Sequence, residues 1–145
     1  MQIEIVECQN EYLLTTPFAK KNNTDISEAL EIINKAWKPE QYHMGVGCYI
    51  SFEKIKKTMF DNYDGMFIPI TEKNIKSKVM LKPKGTYLCG YIIGPCNTIP
   101  KLYEKMLNYA NTHNLNLTGY AYERWLNDFV ISEEEYITQI MIKIE

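Results

Sequence analysis

The residues best suited to chemistry lie together in Gly119-Tyr120-Ala121-Tyr122-Glu123-Arg124-Trp125-Leu126-Asn127-Asp128, a stretch dominated by aromatic and large apolar side chains. That composition predicts a β-strand. Alternate residues of a strand share a face, so Ala121, Glu123 and Trp125 look one way and Tyr120, Tyr122 and Arg124 the other. One face therefore carries a carboxylate beside an indole. Lining a cavity, that pair is a trap for a positively charged, partly apolar ligand, because charge and π-face both favour it. On the outer face of an edge strand, the same glutamate is merely solvated. The stretch by itself leaves both readings open.

Composition removes several classes. A chain of 145 residues, 46% hydrophobic and 23% charged, suits one folded domain. Its net charge of −2 supplies no basic field to recruit nucleic acid. Positive charge is nearly all lysine, and Arg124 is the single arginine, which argues against phosphate clamps and base readout. Eleven tyrosines exceed what a small core needs and point to an amphipathic binding surface. Cys8, Cys48, Cys89 and Cys96 are scattered without a CxxC, and His43 and His113 are not spaced as a ligand pair. Neither a metal site nor a cofactor is expected, and the cysteines read as free thiols in a reducing cytoplasm. The N-terminus alternates and carries carboxylates, unlike a signal peptide, and no apolar run reaches the ~20 residues of a membrane span.

The elements that must position Glu123 come in two passes. Residues 3–16 predict strand structure broken near Gln9-Asn10-Glu11. Asp25 and Glu28 form a capping box for a helix with Ile26, Ala29, Leu30, Ile33, Ala36 and Trp37 on one stripe, ending before Pro39. A strand over 44–52 follows, in which Gly45 and Gly47 predict a bulge or a close backbone approach. Residues 53–62 read as loop or short helix, and 65–71 as a strand that Pro69 assigns to an edge or a bulge. The second pass has strands at 79–81 and 87–93 around Pro83-Lys84-Gly85. It continues with a helix capped by Asn97 or Thr98 with Ile99, Leu102, Tyr103, Met106, Leu107 and Ala110 inward, then strands at 117–126 and 136–144. An offset of 75 carries Tyr12 onto Tyr87, the first helix onto the second, and Cys48 onto Glu123. The expectation is an α+β domain of two pseudo-symmetric strand-helix-strand-strand modules, about 1–72 and 79–145, with antiparallel sheet and helices on one face. Glu123 then belongs to one module only, as a site at the junction would.

The second half resembles the GyrI-like small-molecule-binding fold, known as the effector domain of MerR-type and AraC-type multidrug regulators and as free-standing proteins. The resemblance rests on Lys82-Pro83-Lys84-Gly85-Thr86-Tyr87, Gly94-Pro95, the helix from Lys101 to Leu107, Gly119-Tyr120-Ala121-Tyr122-Glu123 and Glu134-Glu135-Tyr136-Ile137-Thr138-Gln139-Ile140. It implies a ligand cleft between the halves, with Glu123 binding cationic aromatic compounds. Family aromatics map onto Tyr63, Tyr91 and Tyr136, and a second carboxylate onto Glu134, which also lies in a charged run of three. Trp125 is added from its place on the Glu123 face. The chain shows no helix-turn-helix, basic recognition helix or dimerising heptads, so it reads as a free-standing member or a piece of a longer regulator.

Three functions compete: a cytoplasmic receptor for small hydrophobic cations without its own DNA-binding part, a hydrolase of strained electrophilic compounds using Glu123 as base and a tyrosine such as Tyr91 or Tyr136 as acid, and a partner-binding protein, DNA gyrase being suggested by other relatives. A separate regulator is a further possible partner.

Overall fold

The structure is a computed structural model, and it describes residues 1–17, 46–70, 79–127 and 132–145. The helix expected over 26–37 and its Asp25 cap lie outside the described residues. Eight strands form one sheet: β1 (Gln2–Cys8), β2 (Glu11–Pro17), β3 (Gly47–Ser51), β4 (Gly65–Ile70), β5 (Val79–Lys82), β6 (Gly85–Ile93), β7 (Leu117–Trp125) and β8 (Ile137–Ile144). The described helices are the short α1 (Phe52–Lys56) and the long α2 (Ile99–Thr112). The chain is an α+β protein with antiparallel pairing throughout, as the alternating patterns predict.

The strand order is β1-β6-β8-β7-β3-β4-β2-β5. Read inward from its two ends, the order gives β1-β6-β8-β7 and β5-β2-β4-β3, two equivalent sets meeting at the β7–β3 seam. At that seam Cys48 lies directly opposite Glu123. These are the two residues related by the offset of 75, so the pair straddles the pseudo-twofold relation between the halves.

Packing explains the seam. Gly47 is essential to it, since a Cβ there would stand 1.8 Å from the Glu123 carbonyl oxygen. The close approach read from the glycines is thus real at Gly47, while Gly45 lies outside the described residues. Beyond β7's start, the ladder with β8 slips between Thr118 and Ala121 around Gly119 at φ 77, a bulge that only glycine adopts without strain. The Pro69 assignment needs partial correction. β4 lies inside the sheet between β3 and β2, not at an edge. Its pairing with β3 ends at Phe67, so the proline is beyond the ladder on that side.

α2 buries Ile99, Leu102, Tyr103, Met106 and Ala110 against one face of the sheet, as its periodicity predicts. Thr98 does precede it, but the hydroxyl donates to the Pro95 carbonyl at 2.6 Å rather than capping the helix amides. Leu88, Ile92, Ala121, Ile140 and Ile142 complete this core, with Ile50 and Ile55. The opposite face is also covered, by Leu13, Tyr49, Phe67, Tyr87 and Tyr122. Chain connectivity shows how. Only Gln9-Asn10 separate β1 from β2, and only Pro83-Lys84 separate β5 from β6, although each pair belongs to opposite ends of the strand order. Such links span at most about 10 Å, so the sheet must curl until its two ends meet. Lys84 N indeed donates to Asn10 Oδ1 at 2.6 Å, tying one turn to the other. Among the described residues, no helix is long and apolar enough to cross a membrane.

Candidate functional site

Glu123 stands on the α2 side of β7, with 1% of its surface exposed. Both oxygens are capped by phenols: Tyr103 of α2 donates to Oε1 at 2.5 Å, and Tyr63 donates to Oε2 at 2.9 Å. Among the described residues, no lysine or arginine pairs with it. Burial therefore dominates and pushes its pKa up to about 7, with the Tyr103 and Tyr63 hydrogen bonds pulling down against it. The two phenols respond in kind, both held well above their ordinary range by burial and then by the Glu123 charge. Across the ladder, the Cys48 thiol is driven up by burial and next by the same charge.

Local structure fixes the capping groups. Tyr103 falls on the buried stripe of α2, where a phenol requires a partner for its hydroxyl. Phe60 stacks on its ring, with centroids 5.1 Å apart and planes 5° from parallel. Tyr63 comes from the segment after α1, which is clamped on both sides of it. Lys54 Nζ donates to Asn62 O at 3.1 Å and to Asp64 Oδ1 at 2.7 Å. Asp64 Oδ2 also accepts from Ser51 N at 2.7 Å, and Asp64 N donates to Tyr49 O at 2.9 Å. The tyrosine is thereby held over the carboxylate.

Outside Tyr63 opens a cleft of about 420 Å³, within the range of small-molecule sites. Thr58, Phe60, Asp61 and Tyr63 form one wall, and Cys96, Asn97, Ile99 and Pro100 the other. Thr58, a β-branched residue at φ 59, turns the chain at its edge. None of these eight residues is basic, and Asp61 adds a carboxylate to the rim. The Cys96 thiol, exposed in this cleft, is raised by burial and then by the Glu123 charge. Glu123 itself is buried and is not among these lining residues, whereas Tyr63, its hydrogen-bond donor, is.

The residues singled out in the sequence are placed unevenly. Glu123 and Tyr63 are brought together. Trp125 shares the Glu123 face, as alternation predicts, and packs half-buried against the cluster of Cys48, Met66 and Ile68. Tyr91 is not brought to them. Its neighbour Gly90 faces Met106 of α2, so Tyr91 points to the opposite face, where its hydroxyl accepts from Gln139 Nε2 at 3.1 Å. Tyr136 is half-buried beside the cleft wall, its carbonyl accepting from Gly94 N at 2.8 Å. Glu134 sits exposed on a 3-10 turn, Glu133–Glu135. Sequence reasoning treated Tyr103 as core and passed over Phe60, Asp61 and Cys96. For Tyr103 a signal existed: a hydroxyl in an otherwise apolar stripe. Among the described residues, no cluster of His, Cys, Asp and Glu could hold a metal ion.

The chain is thus an α+β module in which a curled antiparallel sheet carries a phenol-capped carboxylate beneath a cleft that, among the described residues, has no basic lining. Residues 46–145 match the GyrI-like small molecule binding domain, and the chain belongs to that family. Similar solved structures include the EcmrR C-terminal domain (13% identity, TM-score 0.70, 99% of this chain and 97% of that one). SAV2435 bound to tetraphenylphosphonium is similar at 15% identity and TM-score 0.64, covering 100% and 94% of the two chains. A hydrolase encoded by lin2189 from Listeria innocua is similar at 10% identity and TM-score 0.69, covering 99% and 92%. At these identities the likeness is one of fold. None of the curated proteins matches this sequence.

Proposed function

We propose that this chain binds lipophilic, positively charged small molecules in the cleft over Tyr63, as a cytoplasmic effector- or drug-binding protein. The observation that carries the reading is Glu123: a buried carboxylate with two phenol donors and, among the described residues, no cationic partner. Such a charge gains most from a ligand that brings its own cation without a tight water shell. Tyr63, which lines the cleft and donates its proton to Glu123, links the two, and a cation–π contact with a lining ring contributes about 0.5–2 kcal/mol. That SAV2435, with the same fold, has been seen with tetraphenylphosphonium supports the choice of ligand class.

A titration with tetraphenylphosphonium is expected to give affinity in the micromolar range. Bound cation should also slow alkylation of Cys96, followed at peptide level by mass spectrometry. Alkylation of the half-exposed Cys8 should be unaffected, since that residue lies on the other face of the sheet. Cys96 labelling indifferent to saturating cation would remove the cleft from the proposal.

One observation favours a second reading, hydrolysis of a strained electrophile. A carboxyl with a pKa of about 7, with phenols at 2.5 and 2.9 Å, is matched to proton transfer near neutral pH. The receptor reading expects every cation and strained-ring compound to be recovered unchanged after long incubation; product that disappears in Glu123→Gln would replace it with the enzyme.

A further inference from the structure

Residues 57–63, between α1 and β4, carry both Phe60 and Tyr63, yet apolar burial holds them only weakly. Lys57, Thr58, Met59 and Asp61 are exposed, and Phe60 and Tyr63 are half-buried. Phe60 nonetheless stacks on Tyr103, and Tyr63 bonds to Glu123, so the segment supports one phenol on the buried carboxylate and supplies the other. Its placement needs a further cause.

Lys54 and Asp64 stand at its two ends and close it. The Lys54 carbonyl accepts from Lys57 N at 3.1 Å and from Met59 N at 3.0 Å, turning the chain out of α1. The Lys54 ammonium then crosses to the far end and donates to Asn62 O and Asp64 Oδ1, one on each side of Tyr63. Asp64 is itself pinned to β3, with Oδ2 accepting from Ser51 N and its own N donating to Tyr49 O. β3 is the strand paired with β7, which carries Glu123. One ion pair thus fixes both ends of the segment beside the strand it must reach. A loop closed at its base has fewer conformations to lose when its side chains dock.

We propose that Lys54 and Asp64 are positioning residues for the ligand site: their ion pair seats residues 57–63 so that Tyr63 stays bonded to Glu123. This role rests on the reading of Glu123 as the anchor of a bound cation. Neither residue lines the cleft, and each acts through Tyr63. The Tyr63 bond favours the charged carboxylate against the effect of burial, so its loss raises the pH at which Glu123 ionises. Among the described residues, the other groups facing Glu123 do not replace it. Tyr103 of α2 already donates to Oε1, and Ile140 of β8 is apolar. Cys48 of β3 and Cys96 of the cleft are thiols whose ionisation the Glu123 charge opposes. A carboxyl left protonated at neutral pH offers a cation no charge.

The test follows the ionisation of Glu123 in the ligand-free protein by carbon NMR of labelled glutamate carboxyls, its signal assigned by absence in Glu123→Gln. Lys54→Met and Asp64→Asn should each move the midpoint upward by about one pH unit, the size of one hydrogen bond to a charged group. The common direction is the signature. Plain electrostatics would move them oppositely, since removing a cation raises a carboxyl pKa and removing an anion lowers it. Tyr63→Phe should reproduce the shift, Lys54→Met on that background should add nothing, and Lys54→Arg should restore the wild-type midpoint. Tetraphenylphosphonium affinity of Lys54→Met should fall about fivefold at pH 7 and recover by pH 9, whereas a loosened fold would weaken it equally at every pH. The half-buried Lys54 and its variants decide the matter even if Asp64→Asn does not fold. An unmoved midpoint, opposite shifts, or a full Lys54→Met shift on the Tyr63→Phe background would each overturn the positioning role. A wild type that binds no tetraphenylphosphonium would sink the receptor reading instead, and the carboxyl titration would still decide whether Lys54 and Asp64 act through Tyr63.

Discussion

Glu123→Gln is expected to weaken tetraphenylphosphonium binding at pH 8 by roughly ten- to a hundredfold, about 1.4–2.7 kcal/mol, because a desolvated charge one side chain away from the cleft attracts a cation at low effective dielectric. The isosteric amide keeps the volume, so the cleft walls should be preserved and the loss should report charge alone. A neutral ligand of similar bulk, such as triphenylphosphine oxide, should bind wild type and mutant alike. The wild-type affinity should carry a pH signature that the mutant lacks. With the Glu123 pKa at about 7, the carboxylate is present above that pH and protonated below it. Cation affinity should therefore fall by up to tenfold per unit as pH drops below 7, and level off above it. Equal affinity in the two proteins at pH 8, measured by equilibrium titration, would remove Glu123 as the anchor.

The same substitution should stabilise the ligand-free protein. Burial raises the Glu123 pKa from 4.5 to about 7, so between those values the folded state holds a proton that the unfolded state has released. Where the folded state binds more protons, stability falls as pH rises. The carboxyl accordingly costs nothing below about pH 4.5, costs progressively more through the window to 7, and is a constant liability above it. A shift of this size corresponds to about 3 kcal/mol. Thermal melts should show Glu123→Gln more stable than wild type at pH 8, by several degrees, with the difference closing toward pH 5. Saturating cation should raise the wild-type midpoint far more than the mutant's. A mutant less stable than wild type at pH 8 would mean that the tyrosine bonds outweigh the desolvation of the charge. Loss of cation binding alongside a gain in intrinsic stability is a combination that a merely structural glutamate would not produce.

Much of the molecule was legible from local pattern. Period-two alternation placed Glu123 and Trp125 on one face of β7 and Arg124 on the other, and period-3.6 spacing selected the buried residues of α2. The internal offset of 75 made Cys48 and Glu123 equivalent positions of the two halves, and the β7–β3 ladder then sets these equivalents opposite each other. These succeed because backbone geometry alone decides which residues share a face. What local pattern could not decide is which strand lies beside which. Gln9-Asn10 and Pro83-Lys84 look like hairpin turns, yet they link strands from opposite ends of the sheet, because each edge strand pairs within the other half. That exchange curls the sheet and ties the turn after Cys8 to the turn after Lys82, a contact that no spacing in the sequence foretells. The capping of Glu123 is likewise a matter of tertiary placement. Tyr63 and Tyr103 lie 60 and 20 residues from it, and only the packing of α2 and the clamped segment after α1 turns a strand carboxylate into a desolvated one. Local pattern in the chain decided where the strands run and that Glu123 shares a face with Ala121 and Trp125; tertiary structure decided that this face is inward and that the glutamate is dry, phenol-bound and titrating near neutrality, because desolvation depends on everything packed around a group and not on its neighbours along the chain.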